Sequence, residues 1–587
     1  MYMYIRGFMK NGNDMNDINL PKGHVSLAER KAEGAHYTPP ELAKFLAGEI
    51  FKSWKSTANK KDLVRVLDPA VGDGELLIAI CELLEKNGYK NLKVFGFDTD
   101  RNAIDFSKKR LSEKFPSINF SFENSNFLEF RAAYKKDDLF ANCDDLEFFD
   151  IVIANPPYVR TQVMGAKKSQ DLASSFGLSG RVDLYYAFII AMGEVLSPRG
   201  KAGVIVSNRF MTIKSGAALR KIISDRLSMC KVWDLGDTQL FEAAVLPAIL
   251  VFGLKQKRST EADFISMYQD EKQKNYEEKN TIFDALKESE GTVLVNKKYY
   301  SLKKGILDTD GSGGIWRLSS PQSDNWINKV KKNTFCTFED VGKIRVGIKT
   351  TADKVFIKNK GDWDLLGTQK PELLQNLITH HIARRFKGKD SVKKVLYTHT
   401  ITNGQKKAVD LEKYKNSQTY LESHRGKLES RTYVAKSNRN WFEIWVPQSP
   451  DLWAKPKVIF RDISEKPTFW FDNTGSVVNG DCYWICNDKN EDENLLWLIV
   501  AVANSTFIEK YYDCCFNNKL YSGRRRFLTQ YVKNFPLPDP CSPTSKKMIS
   551  LAKEIYDDIE KQDQVKKLES QLDMLVWNSF GFSQKNL

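Results

Sequence analysis

Asn155-Pro156-Pro157-Tyr158 is the stretch of this chain best equipped for chemistry. It follows Phe149-Asp150-Ile151-Val152-Ile153-Ala154, a run that reads as a buried strand. The asparagine side-chain oxygen and the Pro156 carbonyl are two acceptors that can take both hydrogens of one exocyclic amine. Proline suits the second place because it has no N–H to compete and a fixed φ. The tyrosine offers a flat apolar face to the planar ring that carries the amine. The four residues point to methylation of an amino group conjugated to a ring or a carbonyl.

A second group lies upstream. Asp68-Pro69-Ala70-Val71-Gly72-Asp73-Gly74 falls between a strand-like run at 64–67 and a helix-like run at 75–84. Glycines at such a junction let the backbone turn sharply and approach a ligand closely. Position 77 is leucine, so the full dinucleotide fingerprint is missing, and no Gly-Lys-Ser/Thr follows to make a phosphate loop. The next strand ends in Gly96-Phe97-Asp98, where a carboxylate can accept from both hydroxyls of an adenosine ribose. Before all of these, Tyr37-Thr38-Pro39-Pro40-Glu41 opens a helix with Leu42, Phe45 and Leu46 on one face. Thr38 is expected as its N-cap and Pro39 as its first residue, with free amides to receive a carboxylate.

These groups need a scaffold. Strand-like runs at 64–67, 92–97, 150–154, 202–207 and 232–235 alternate with helix-like runs at 75–84, 101–111, 184–196 and 217–227. That alternation predicts a doubly wound α/β sheet, and 246–254 after 231–235 predicts that it ends in a strand pair. Residues 255–279 are charged and polar and read as a linker. From there to 540 come short strand-like runs, such as 341–348, 457–460 and 483–486, with many aromatics and scattered basic residues. They predict a second domain of mixed structure. Residues 495–508 and 546–577 read as helical, the latter as an amphipathic helix packed on a core. The expected domains are 1–258, 259–541 and a helical segment 542–587.

Composition bounds the class. The chain has 587 residues, 28% charged and 42% hydrophobic, as in an ordinary soluble multidomain protein. No apolar run reaches the roughly 18 residues of a membrane span, and the first 20 residues lack a secretory apolar core, so a cytoplasmic protein is expected. Nine cysteines are scattered without paired Cys-x-x-Cys knuckles, so no structural metal is expected. Net charge is +15 and unevenly placed: residues 1–150 carry −2, 151–260 carry +8 and the rest +9. Basic surface thus begins at the Asn-Pro-Pro-Tyr strand, which suggests a polyanionic partner.

Thr-Pro-Pro-Glu, Asp-Pro-Ala-x-Gly-x-Gly, Gly-Phe-Asp and Asn-Pro-Pro-Tyr, in that order and before a long extra domain, resemble the gamma class of N6-adenine DNA methyltransferases, typified by the TaqI methyltransferase. The resemblance covers about 30–255 by motif. It extends loosely to Gly342 through Ile357, to Tyr521-Ser522-Gly523-Arg524-Arg525-Arg526-Phe527 and to Leu572 through Phe582. It implies a Rossmann-like core that uses S-adenosyl-L-methionine, and a mixed α/β DNA-recognition domain closing over double-stranded DNA. By that resemblance Thr38 meets the methionine carboxylate, Asp68, Ala70 and Gly72 line the methionine and its amine, and Asp98 holds the ribose. Asn126-Phe127-Leu128 is the adenine-contact position, with Asn126 where the family usually has aspartate. Asp73 likewise replaces a small residue.

Asn155, Pro156, Pro157 and Tyr158 are then the catalytic set, with Tyr158 stacking on a flipped adenine and Phe241 touching its edge. Arg181-Val182-Asp183-Leu184-Tyr185-Tyr186 matches the helix start that flanks the family's target pocket. Arg345, Lys349, Arg384, Arg385, Arg524, Arg525 and Arg526 are the candidate DNA contacts. A monomer on DNA is expected, with a cognate restriction endonuclease as genetic partner and nucleoid association in the cell. Three alternatives stand: an RNA base as substrate, a protein glutamine amide, and the modification part of a bifunctional restriction enzyme. Only 36 residues precede Tyr37, fewer than a nuclease domain needs.

Overall fold

A computed structural model describes residues 38–583 apart from 56–59, 61, 132–147, 159–165, 179–182, 242–245, 257–260, 271–274, 289, 312–313, 488–491, 517–519 and 521–522. Of the motif residues, Tyr37, Arg181, Val182, Tyr521 and Ser522 lie outside the described residues. The chain divides into two compact units. One comprises Met1–Phe210, Ser215–Asp234 and Gln239–Ala262; the other comprises Met211–Lys214, Leu235–Thr238 and Asp263–Leu587.

The first unit is built on seven strands: β1 (Val64–Asp68), β2 (Leu92–Asp98), β3 (Asn119–Asn124), β4 (Phe149–Ala154), β5 (Leu196–Ser207), β6 (Leu227–Asp234) and β7 (Pro247–Leu254). Their spatial order is β3-β2-β1-β4-β5-β7-β6. The first five run parallel, and β7 enters antiparallel between β5 and β6. The strand pair expected from 231–235 and 246–254 is this β6–β7 pair. Helices α1 (Pro40–Trp54), α2 (Glu75–Lys86), α3 (Arg101–Lys114), α4 (Leu184–Glu194) and α5 (Ala217–Arg226) connect or cover the strands. Central strands are apolar throughout, as in a sheet covered on both faces: Ile151 to Ala154 and Ala248 to Phe252 are fully buried.

Two local expectations change, and one strand was not anticipated. Residues 255–279 are not only a linker, because Asp263–Gln269 is a strand that pairs with Lys298–Gly311. Its apolar residues Phe264, Ile265, Met267 and Tyr268 are buried, and the polar residues flanking them concealed the pattern. Helix α1 starts one residue late, with Pro39 as N-cap and Pro40 at the first position, so Thr38 does not cap it. The strand β3 has no clear signature in the sequence, because its alternating Phe120 and Phe122 sit among polar residues at the edge of the sheet.

In the second unit, Ile344–Val346, Cys482–Ile485, Lys457–Arg461, Phe469–Asp472 and Phe386–Lys387 form a five-stranded sheet in that order. A four-stranded sheet, Ile357–Asn359, Lys393–Leu396, Leu374–Ile378 and Val477–Val478, lies in the same unit. The helical run read at 495–508 is two helices, Glu493–Ala503 and Thr506–Cys515, separated where Ser505 caps the second. The run at 546–577 is Pro543–Asp557 and Gln562–Ser579. Leu568, Leu572, Val576 and Trp577 of the last helix join one hydrophobic core with Leu496, Phe507 and Met548. No helix of the described residues is long and apolar enough to cross a membrane.

Candidate active site

The C-terminal ends of β1 and β4 are neighbours, since Val66 pairs with Ile151 and Leu67 with Val152. β1 connects towards β2 on one side, and the chain returns to β4 on the other. This reversal opens the crevice where open α/β sheets bind ligands. Asp68 ends β1 and Asn155 follows β4, so the two sequence motifs meet at this crevice.

The turn after β1 is tied from within. Asp98 Oδ2 accepts from the Gly72 amide at 2.9 Å, and its Oδ1 accepts from the Asp100 amide at 2.9 Å. Gly72 has φ +51, and a Cβ there would point into open space, so the glycine leaves room beside the backbone for a ligand. Asp73, unexplained by sequence, serves the turn itself, because its Oδ1 accepts from the Glu75 amide at 3.2 Å at the start of α2. Arg110 of α3 then binds the Asp73 carbonyl at 2.7 Å and the Glu75 carboxylate at 2.8 Å, holding the turn from outside.

Asp68 is the group this turn does not satisfy. It is fully buried, and its Oδ1 accepts from the Ala70 amide at 3.0 Å. Its Oδ2 is buried with no hydrogen-bond partner. Burial, reinforced by Asp98 and Asp73, pushes its carboxyl up to about 8. Burial also raises the carboxyls of Asp98 and Asp73. Three acids around a glycine cradle, one with a bare oxygen, fit a ligand that brings a positive charge and hydroxyl donors.

At the β4 end, Asn155 is oriented from both sides. Its Nδ2 donates to Thr38 Oγ1 at 3.1 Å, and its Oδ1 accepts from the Tyr158 hydroxyl at 2.8 Å. Thr38, expected at a helix cap, is instead a buried partner of Asn155. A hydroxyl that accepts can still donate its own proton, so Thr38 can meet a carboxylate while holding Asn155. An amide nitrogen donating to Thr38 directs the carbonyl oxygen the other way, and that oxygen has a second lone pair for an incoming N–H. Pro156 is buried, while Pro157 is partly exposed. Tyr158 is half-buried, and burial raises its phenol well above the usual range, so it stays a donor. Its ring centroid lies 6.2 Å from Phe241 at 63° and 6.5 Å from Tyr185 at 66°. The three rings therefore make a corner, with Phe241 edge-on rather than a parallel face.

Asn126 begins the helical turn 127–131, its Oδ1 accepting from the Leu128 amide at 3.0 Å and its Nδ2 donating to Glu129 at 3.3 Å. Phe127 packs edge-on against Phe97 at 5.3 Å and is buried.

The candidate DNA contacts separate into two classes. Arg525 makes a two-pronged bond to Asp513, at 2.8 and 2.9 Å, and Arg526 a two-pronged bond to Asp462, at 3.2 and 3.1 Å. Arg384 pairs with Glu560 at 2.8 Å, and Arg385 binds Glu569 and the Asn504 carbonyl. Each of these four guanidiniums already has a carboxylate or carbonyl partner within the fold. Arg345 lies over the Trp484 ring at 5.3 Å and donates to the Lys343 carbonyl. Lys349 and Arg524 are exposed.

Comparison with known proteins places this geometry. Residues 91–241 match the Eco57I restriction-modification methylase model, and residues 388–537 match the TaqI-like C-terminal specificity domain. The type II methyltransferase M.BanIII of Aneurinibacillus aneurinilyticus is 39% identical over 94% of this chain and 98% of its own length. M.BstVI of Geobacillus stearothermophilus is 24% identical, over 89% of this chain and 92% of that protein. M.PaeR7I of Pseudomonas aeruginosa is 23% identical over 86% of each.

Proposed function

Because the chain belongs to the type II DNA methyltransferases of restriction-modification systems, with the motif order of the gamma class, we propose that it methylates N6 of an adenine flipped out of duplex DNA, using S-adenosyl-L-methionine. The observation that carries this reading is the double tether of Asn155, which orients an acceptor next to the Pro156 carbonyl at the crevice shared with Asp68.

The cofactor, when bound, supplies a sulfonium-activated methyl group. The residues around Asp68 suit it: the bare Oδ2 would receive the α-amine, Asp98 would receive the ribose hydroxyls, and Thr38 would donate to the carboxylate. Asn126 and Phe127 would border its adenine.

Adenine N6 is a poor nucleophile because its lone pair is delocalised into the ring. Asn155 Oδ1 and the Pro156 carbonyl each accept one N6 hydrogen, which favours a pyramidal nitrogen with its lone pair aimed at the methyl. These acceptors are in place before the base arrives, so alignment and electrostatic preorganisation do the catalytic work. Flipping the base costs a few kcal/mol, and stacking on Tyr158 returns about 1–3 kcal/mol, so backbone contacts must supply the rest. Residues 259–541 are read as the DNA-recognition domain, following the specificity-domain match within them, with 1–258 as the catalytic domain and 542–587 as a closing helical segment. That match favours DNA over RNA or a glutamine amide. The protein is read as a monomer on DNA with a cognate endonuclease as genetic partner.

The test is sequencing of DNA from cells expressing the protein, with detection of N6-methyladenine. Modified adenine at one recurrent sequence is the expected result. Soluble, folded protein with no modified adenine would sink the proposal.

A further inference from the structure

Lys349, a candidate DNA contact from the sequence, shares a surface of the second unit with two lysines that the sequence did not single out. A cavity of about 870 Å³ is lined by Lys349, Lys354 and Lys427, together with the loop between Lys349 and Asp353 and the turn Asn479-Gly480-Asp481. All three lysines are exposed, and among the described residues none forms an ion pair. The acids lining the same place, Asp353 and Asp481, form no ion pair with these lysines, although Asp481 Oδ1 is buried without a hydrogen-bond partner. Asp353 Oδ1 accepts from the Thr350 hydroxyl, and Asp481 Oδ2 lies 2.5 Å from His380 Nδ1. The three lysines therefore outnumber the two carboxylates that line the cavity with them, and none is held by an ion pair as Arg525 and Arg526 are.

The loop is also strained and over-determined. Thr351 has φ +60, a left-handed conformation that a β-branched residue rarely adopts. Such strain persists only where surrounding contacts enforce it. Here the enforcing group is Arg431, which is buried and donates to the Thr350 carbonyl at 3.0 Å and to the Leu428 carbonyl at 3.0 Å. One guanidinium thus holds the neighbour of Lys349 and the neighbour of Lys427 at a set spacing. Gly347 lies against Asn479 so closely that a Cβ would meet its carbonyl oxygen at 2.1 Å, and Ile348 bridges to Asn479. The lysines sit on a rigid mount rather than on a solvated loop tip.

We propose that this cavity is a DNA-backbone contact, in which Lys349, Lys354 and Lys427 neutralise consecutive phosphates and Arg431 is the positioning residue that sets their spacing. The proposal rests on duplex DNA being the substrate. Three exposed lysines without ion-pair partners at one cavity, two of them beside backbone that Arg431 holds, suit a polyanion, and each phosphate contact displaces a condensed counterion.

The experiment is the salt dependence of binding of the full chain to a duplex, for the wild type and for K349Q/K354Q/K427Q. Each lost phosphate contact lowers the slope of log K against log salt by about 0.9, so the triple variant should lose about 2.7. K566Q, which removes an exposed lysine of the Gln562–Ser579 helix, should leave the slope unchanged. A triple variant with the wild-type slope overturns the proposal. A wild type that neither binds nor methylates DNA defeats the underlying reading instead, so the two failures are told apart.

Discussion

The crevice of the first unit and the arginine-rich surface of the second treat charge in opposite ways. At the crevice, Asp68 is buried with one carboxylate oxygen bare and its carboxyl raised by that burial. In the second unit, Arg525 is largely buried too, yet both its prongs meet Asp513. A buried charge left incomplete costs stability and waits for a ligand, whereas a buried charge completed internally holds the fold. The contrast teaches that charge in the sequence does not say which groups the fold completes and which it leaves incomplete.

Asn155→Ala should break the crevice most severely. Removing the preorganised acceptor is expected to lower the methyl-transfer rate by about 10²–10³-fold or more while duplex binding persists. Single-turnover kinetics and a gel-shift assay on the same folded protein check this; loss of DNA binding instead would remove Asn155 from the catalytic role.

Arg525→Gln tests the other side of the comparison. It leaves Asp513 without its two-pronged partner and should cost about 3 kcal/mol of stability, read as a lower melting temperature. A melting temperature unchanged, with a weaker salt dependence of DNA binding, would return Arg525 to the DNA contacts.

A further effect concerns pH. The carboxyl of Asp68 is raised in the folded state, from 3.8 to about 8, so between those values the folded protein holds a proton that the unfolded chain has lost. Without cofactor, stability should therefore fall as pH rises from about 4 to about 8, and Asp68→Asn should flatten that fall. Cofactor binding should in turn tighten as pH rises through neutrality, with release of a proton measurable by calorimetry in buffers of different ionisation heat. Proton uptake on binding would contradict the pairing of Asp68 with a cation.

Much of this was legible because it is local. The strand–turn–helix around Asp68 to Gly74 and the strand before Asn155 are written in contiguous residues, where periodicity and glycine placement speak directly. The strand Asp263–Gln269 was hidden, because its four buried apolar residues lie in a charged stretch that only sheet pairing makes sense of. Thr38 was placed at a helix cap by propensity, and a contact across 117 residues overrode it.

The sequence by itself determined the motifs at hand: the Asn155-Pro156-Pro157-Tyr158 tetrapeptide after a strand, a glycine turn after another, and a parallel sheet to carry both. Those properties follow from residue type and short-range spacing. Only the tertiary structure decided which charges are bare. Asp513 lies 12 residues from Arg525, Asp462 lies 64 from Arg526, and Arg431 reaches a carbonyl 81 residues away. Pairing energy depends on distance and burial in space, and neither quantity can be read along the chain.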